Sequence, residues 1–146
     1  MSKNYVEIEP GVGAGPVKIG MHRDSIQEAY RYVYSSFFKT DQSKFRSDHC
    51  GLAGFIAHYD SEGITKHIEI FNGENQQIEY EIYGVQAKLL TVRKLSEILE
   101  FKNIRFEISV YGVEARSIGL STFNHDLQSK DDIIESFGIY SPLRDL

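Results

Sequence analysis

The sequence predicts an α+β protein: a mainly antiparallel sheet of about five to seven strands, with two or three short helices packed on one face. Three observations carry that expectation. Stretches such as "GFIAHYDSEGITKHIEIF" alternate apolar and polar residues with the period of a half-buried strand. Short runs opened by capping residues, "TVRKLSEILEF" above all, repeat their apolar residues at helical spacing. Finally, 146 residues with 41% hydrophobic and 25% charged side chains match one ordinary globular domain, so a single domain over residues 1–146 is expected.

Taken in order, "NYVEIE" alternates and stops at Pro10, which marks a first strand. A glycine stretch and the brief apolar "VKIG" follow. Asp24 with Gln27 three residues on resembles a capping box, predicting a helix from about Ser25 to Tyr34 with Ile26, Ala29, Tyr30 and Val33 on one face. "FFKTDQSKFRSDHCG" has no sustained period and reads as a long loop. Around the connection Asp60-Ser61-Glu62-Gly63 the alternation predicts a hairpin with Tyr59 opposite Ile64. Phe55, Ala57, Tyr59, Ile64, Ile68 and Ile70 then line one face, and Ile56, His58, Thr65, His67 and Glu69 the other.

"QQIEYEIYGVQAKLL" continues as a third strand with Ile78, Tyr80 and Ile82 opposite Glu79, Glu81 and Tyr83. Thr91 is placed to cap the next helix. "IRFEISVYG" and "RSIGLSTF" predict a second hairpin, and "SKDDIIESFG" a closing helix capped by Ser129 and stopped by Gly138. Two internal echoes stand out. "IYGVQAK" returns as "VYGVEAR", and the three helix starts align Ile26 with Leu95 and Ile133. They fit a degenerate duplication, and equally the ordinary recurrence of glycine-ended strands and short capped helices.

No ready-made catalytic site is legible. Gly11, Gly13 and Gly15 lack the third glycine spacing of a dinucleotide loop, and no Lys-Ser or Lys-Thr follows as in a phosphate loop. His22, His49, Cys50, His58, His67 and His125 show none of the usual metal-ligand spacings, so no metal or cofactor is expected. His58 and His67 do fall on one hairpin face as diagonal neighbours near Glu69. Cys50 reads as a partly buried thiol rather than a nucleophile, and the lone cysteine fits a reducing compartment. The net charge of −5 comes without a basic cluster, which argues against nucleic-acid binding. Apolar runs are too short for a bilayer, and "MSKNYVEIEP" has no signal-peptide core, so the cytoplasm is the expected location.

The segment Gly15-Pro16-Val17-Lys18-Ile19-Gly20-Met21-His22-Arg23-Asp24-Ser25-Ile26 resembles a Gly-Met helix-start motif of small bacterial α+β proteins. Similar motifs occur in repeats of the beta-lactamase inhibitory protein, in BamE-like domains and in toxin-immunity proteins. His22 stands where Thr or Ser is common. The resemblance implies a non-enzymatic protein-binding module, most sharply an immunity protein that blocks a cognate toxin's active site. Acidic side chains would meet a basic toxin domain, with Asp41, Asp48, Glu79, Glu81, Tyr83, Asp131 and Asp132 as candidate contacts. The rival reading is a small-molecule or metal-binding protein using His58, His67 and Glu69, and a third is a structural subunit of a larger assembly.

Overall fold

A computed structural model describes residues 5–32, 34–38, 47–73 and 76–142. The strands are β1 (Tyr5–Glu9), β2 (Gly13–Ala14), β3 (Val17–Lys18), β4 (Ser35–Phe37), β5 (Ser47–Cys50), β6 (Phe55–Tyr59) and β7 (Thr65–Phe71). They continue with β8 (Glu79–Ile82), β9 (Val85–Gln86), β10 (Glu107–Ser109), β11 (Gly112–Ala115), β12 (Leu120–Phe123) and β13 (Ser136–Tyr140). Helix α1 (Arg23–Ala29) follows β3, and α2 (Val92–Phe101) follows β9.

One sheet has the order β3-β2-β1-β8-β9, with β1 and β8 parallel and the other pairs antiparallel. The other runs β10-β11-β12-β13-β7-β6-β5-β4 and is antiparallel throughout. This overturns the expected single sheet of five to seven strands with helices on one face. Strands hold 43% of the described residues and helices 18%, in two sheets of five and eight strands. Two-residue strands such as β2, β3 and β9 are too short to show alternation, so the sequence showed β1 and β8 as strands but not the separate sheet they form with these short partners.

Three local readings change for identifiable reasons. Helix α1 spans seven residues, and its N-cap is His22, whose Nδ1 accepts from the Asp24 amide at 3.2 Å. Asp24 and Gln27 form no capping box, because Gln27 turns inward to donate to Asp48. Beyond Ala29 the tyrosine-rich chain turns extended, and Tyr30 and Tyr34 pack their rings on Phe55, a use that suits aromatic residues better than a further helical turn. The predicted loop after it contains β5 and the last residue of β4, while residues 39–46 lie outside the described set, as does Val33.

The closing helix does not form. The Asp132 carboxylate accepts from the amides of Gln128 and Ser129, holding a turn, and the next residues enter β13 in the middle of the eight-stranded sheet. By contrast, Thr91 caps α2 as expected, its Oγ1 accepting from the Lys94 amide at 3.1 Å. Thr91→Ala is expected to lower stability by about 1 kcal/mol, measured by urea unfolding.

The hairpin forms with a register shifted from the expected one. His58 sits directly opposite His67, and a bulge after it pairs Tyr59 with Thr65. Thr65 therefore turns inward and donates its hydroxyl to the Met21 carbonyl. That bond explains the Gly-Met segment: Gly20 and Met21 also exchange backbone hydrogen bonds with Thr65, docking the start of α1 against β7.

The two halves repeat one plan. Each runs from a hairpin to a helix and then through a four-strand meander, and the two meanders join where β7 pairs with β13 around Glu69 and Gly138. The N-cap residues His22 and Thr91 bridge Ile64 and Ile133 in the same way. Thr65 donates to Met21 and Ile134 to Leu90, while Arg23 and Val92 donate to Gly63 and Asp132. Counting outward along the registers, Ile68 matches Phe137, Ala57 matches Thr122, and Asp48 matches Val113. The matched helix starts are those of α1 and α2, with Ile26 and Leu95 both buried; Ile133 belongs to a different position of the repeat.

One apolar cluster unites these parts. The inner face of the large sheet gives Phe55, Ala57, Ile68, Ile70, Phe137, Ile139 and Leu120; α1 and α2 add Ile26, Leu95 and Leu99. Ile8, Val17, Tyr80 and Ile82 of the smaller sheet complete it. The opposite face of the large sheet carries His58, His67 and Glu69.

Candidate functional site

Along each strand of the large sheet, residues between the core positions point to the outer face. Cross-strand register then sets Phe37, Ser47, His58, His67 and Tyr140 in one row. His49, Ile56, Glu69, Gly138, Ser121 and Glu114 form the next. In the first row the rings touch in series: Phe37 meets His58 edge-on, His58 stacks on His67 at 5.6 Å, and His67 stacks on Tyr140 at 6.3 Å. Such cross-strand aromatic contacts add to the stability of a sheet face.

The face is chemically uneven. Phe37 (39% exposed), Phe123 (47%) and Tyr111 (56%) present large apolar surface, with Tyr111 and Phe123 stacked at 5.8 Å. Glu69, Glu107 and Glu114 add negative charge, and Arg116 pairs with Glu114 at 2.6 Å. His67, Glu69, Phe71, Phe123, Ser136 and Gly138 border a hollow of about 380 Å³. A Cβ on Gly138 would stand 2.9 Å from His67 Nε2 and 2.5 Å from Ser121 Oγ, so glycine is what lets the His67 ring lie across the sheet centre.

His58, His67 and Glu69 form the tightest polar group on this face. Glu69 Oε1 lies 3.3 Å from His58 Nε2 and 3.9 Å from His67 Nδ1. On its other side, buried His58 meets Ser47 Oγ through Nδ1 at 2.7 Å. Glu69 accepts from His58 Nε2–H, and the Ser47 hydroxyl, which can donate or accept, meets Nδ1. The expected closeness of the two histidines and Glu69 is present, with the rings opposite rather than diagonal.

The other candidate residues are dispersed. Glu79, Glu81 and Tyr83 belong to the smaller sheet. Glu79 pairs with Lys88 at 3.0 Å, and Tyr83 sits in the β8–β9 turn beneath Lys102 Nζ, 5.0 Å from its ring centroid. Burial raises the pKa of the Tyr83 hydroxyl. Asp131 pairs with Arg93 at 2.7 Å, and Asp132 holds the turn described above. Asp41 lies outside the described residues.

Asp48 is fully buried on the inner side. It takes two hydrogen bonds from Arg23 at 3.0 and 3.2 Å, and others from Ser36, Gln27 and Tyr59. Burial pushes its carboxyl pKa up, but the bonds from Arg23, Tyr59 and Ser36 outweigh burial and hold it below the ordinary value. This network bolts α1 to β4, β5 and β6. Its bonding capacity is spent inside the fold, and Asp48 is not on the surface where a contact residue was expected. Cys50 is buried as well, with its thiol pKa raised by burial.

The exposed aromatic residues Phe37, Tyr111 and Phe123 escaped the sequence reading, since an aromatic residue on a strand reads first as core. Among the described residues, no helix is long and apolar enough to cross a membrane. No protein-family model, curated protein or solved structure matches the chain.

Proposed function

We propose that this chain is a non-enzymatic protein-binding module whose docking surface is the outer face of the eight-stranded sheet. One observation carries the reading: the outer face of the eight-stranded sheet is set with stacked and half-exposed aromatic rings, Phe37, Tyr111 and Phe123. Clustered exposed aromatics of this kind are the usual anchors of protein interfaces. The glutamates around them favour a basic partner surface. At its sharpest, the reading is a cytoplasmic immunity protein that occludes the active site of a basic toxin domain, the use implied by the Gly-Met resemblance.

The test is protection of growth. Co-expression with the toxin encoded beside this gene should rescue cells, and Tyr111→Ala with Phe123→Ala should weaken the complex at least about 30-fold, consistent with two anchors of 1–2 kcal/mol each. Binding should also weaken with salt. No toxin gene nearby and no protection would sink the immunity reading. A complex unaffected by the aromatic replacements would remove the outer face from it.

A further inference from the structure

We propose that His58, His67 and Glu69 bind one zinc-class divalent ion on the outer sheet face. Their ligand atoms all lie within 4.8 Å of one another. Ligands held at 2.0–2.2 Å around a tetrahedral ion stand about 3.3 Å apart, so the 3.3 and 3.9 Å separations around Glu69 Oε1 close on an ion with small ring movements. Two imidazoles and one carboxylate suit zinc, and three protein ligands leave a fourth position open. Two of the three ligands, His67 and Glu69, also border the hollow of about 380 Å³.

The supporting shell is in place. His58 and His67 face each other on adjacent strands and Glu69 follows two residues along β7, so the backbone ladder holds all three. Ser47 Oγ lies 2.7 Å from His58 Nδ1. A hydroxyl both donates and accepts, so on metal binding it takes the Nδ1 proton bond and frees Nε2 for the ion. This arrangement orients a ligand histidine as metal sites require.

The internal repeat shows that the fold itself does not ask for these residues. At the matching positions of the second meander stand Phe123, Ser136 and Gly138. The same strands are built there without imidazole or carboxylate. The first half therefore carries a polar cluster that the second half builds without, and the inference holds whether or not the face also docks a protein.

The experiment is titration of the full chain, stripped with chelator, by Zn²⁺ in calorimetry and by Co²⁺ in visible absorption. One equivalent should bind, with cobalt bands of a low-coordinate site. His58→Ala, His67→Ser and Glu69→Gln should each weaken Zn²⁺ at least about 100-fold, and Ser47→Ala about 10-fold or more. His67→Ser installs the residue that the second half uses, so its fold should survive, checked by circular dichroism. His49→Ala, on the same face, should leave affinity unchanged. Absence of saturable binding at one equivalent would overturn the proposal, as would undiminished affinity in the three ligand variants or an equal loss in His49→Ala.

Discussion

Replacing Asp48 with alanine should lower stability by about 3–5 kcal/mol, the usual consequence of removing one partner from a buried ion pair. The Arg23 guanidinium, 3.0 Å from Asp48 and only 27% exposed, would lose its counter-charge, while Gln27, Ser36 and Tyr59 would lose their shared acceptor. For a chain of this size the melting temperature should fall by roughly 10 °C, at about 2–4 °C per kcal/mol. The internal repeat supplies the compensating change: the matching positions of the second half are Val92 and Val113, both buried. Arg23→Val combined with Asp48→Val should therefore recover more than half of the loss. A double variant as unstable as Asp48→Ala would refute the equivalence of the two packing solutions.

The same carboxylate makes the fold acid-sensitive. Its pKa is lowered in the folded state, so its contribution is complete above the ordinary aspartate value of 3.8. It is lost as pH falls from there through the folded pKa. Asp48→Ala should flatten that part of the stability profile, read by denaturant unfolding at a series of acid pH values.

Gly119→Ala should cost about 3 kcal/mol, combining left-handed backbone strain of about 1–2 kcal/mol with overpacking of similar size. Gly119 has φ +70°, and a Cβ there would run into the Tyr140 carbonyl and lie 2.9 Å from Gly11 Cα. Its own carbonyl accepts from the Gly11 and Tyr140 amides, which ties the opening glycine turn to the end of β13. Gly54 holds the matching turn of the first meander at φ +73°. There the atoms nearest the added Cβ belong to the end of the Gln76 side chain, which can shift at the cost of its bonds to Gly73 and Ile78, so Gly54→Ala should be milder. Equal losses at the two positions, measured by thermal unfolding, would contradict this account.

Several elements were legible because one local signal decided them. Thr91 and the apolar spacing of Val92, Leu95 and Leu99 were enough for α2, since a cap and a buried stripe agree there. The β6–β7 hairpin followed from alternation around a turn, where Asp60 Oδ1 accepts from the amides of Glu62 and Ile64. The closing segment misled, because Ser129 and two aspartates before an apolar pair satisfy a helix-start pattern and a turn equally. Asp132 spends its carboxylate on the turn, and the burial of Phe137 and Ile139 at the sheet centre decides the outcome.

The candidate site divides in the same way. That His58, His67 and Glu69 share a face follows from strand parity, which the sequence alone determines. That their ligand atoms converge depends on a register shifted by the bulge after His58, and on Ser47 arriving from β5. Likewise, composition and periodicity predicted alternating strands and short capped helices in an α+β arrangement with one sheet of five to seven strands, which the two sheets of five and eight strands overturn. Only the tertiary structure decided that its strands divide into two sheets, that two meanders join at Glu69 and Gly138, and that Phe37, Tyr111 and Phe123 stand half-exposed on the outer face. The reason is physical: propensity and alternation act over a few residues, whereas sheet partners are chosen by burial and hydrogen bonding between segments far apart in the chain.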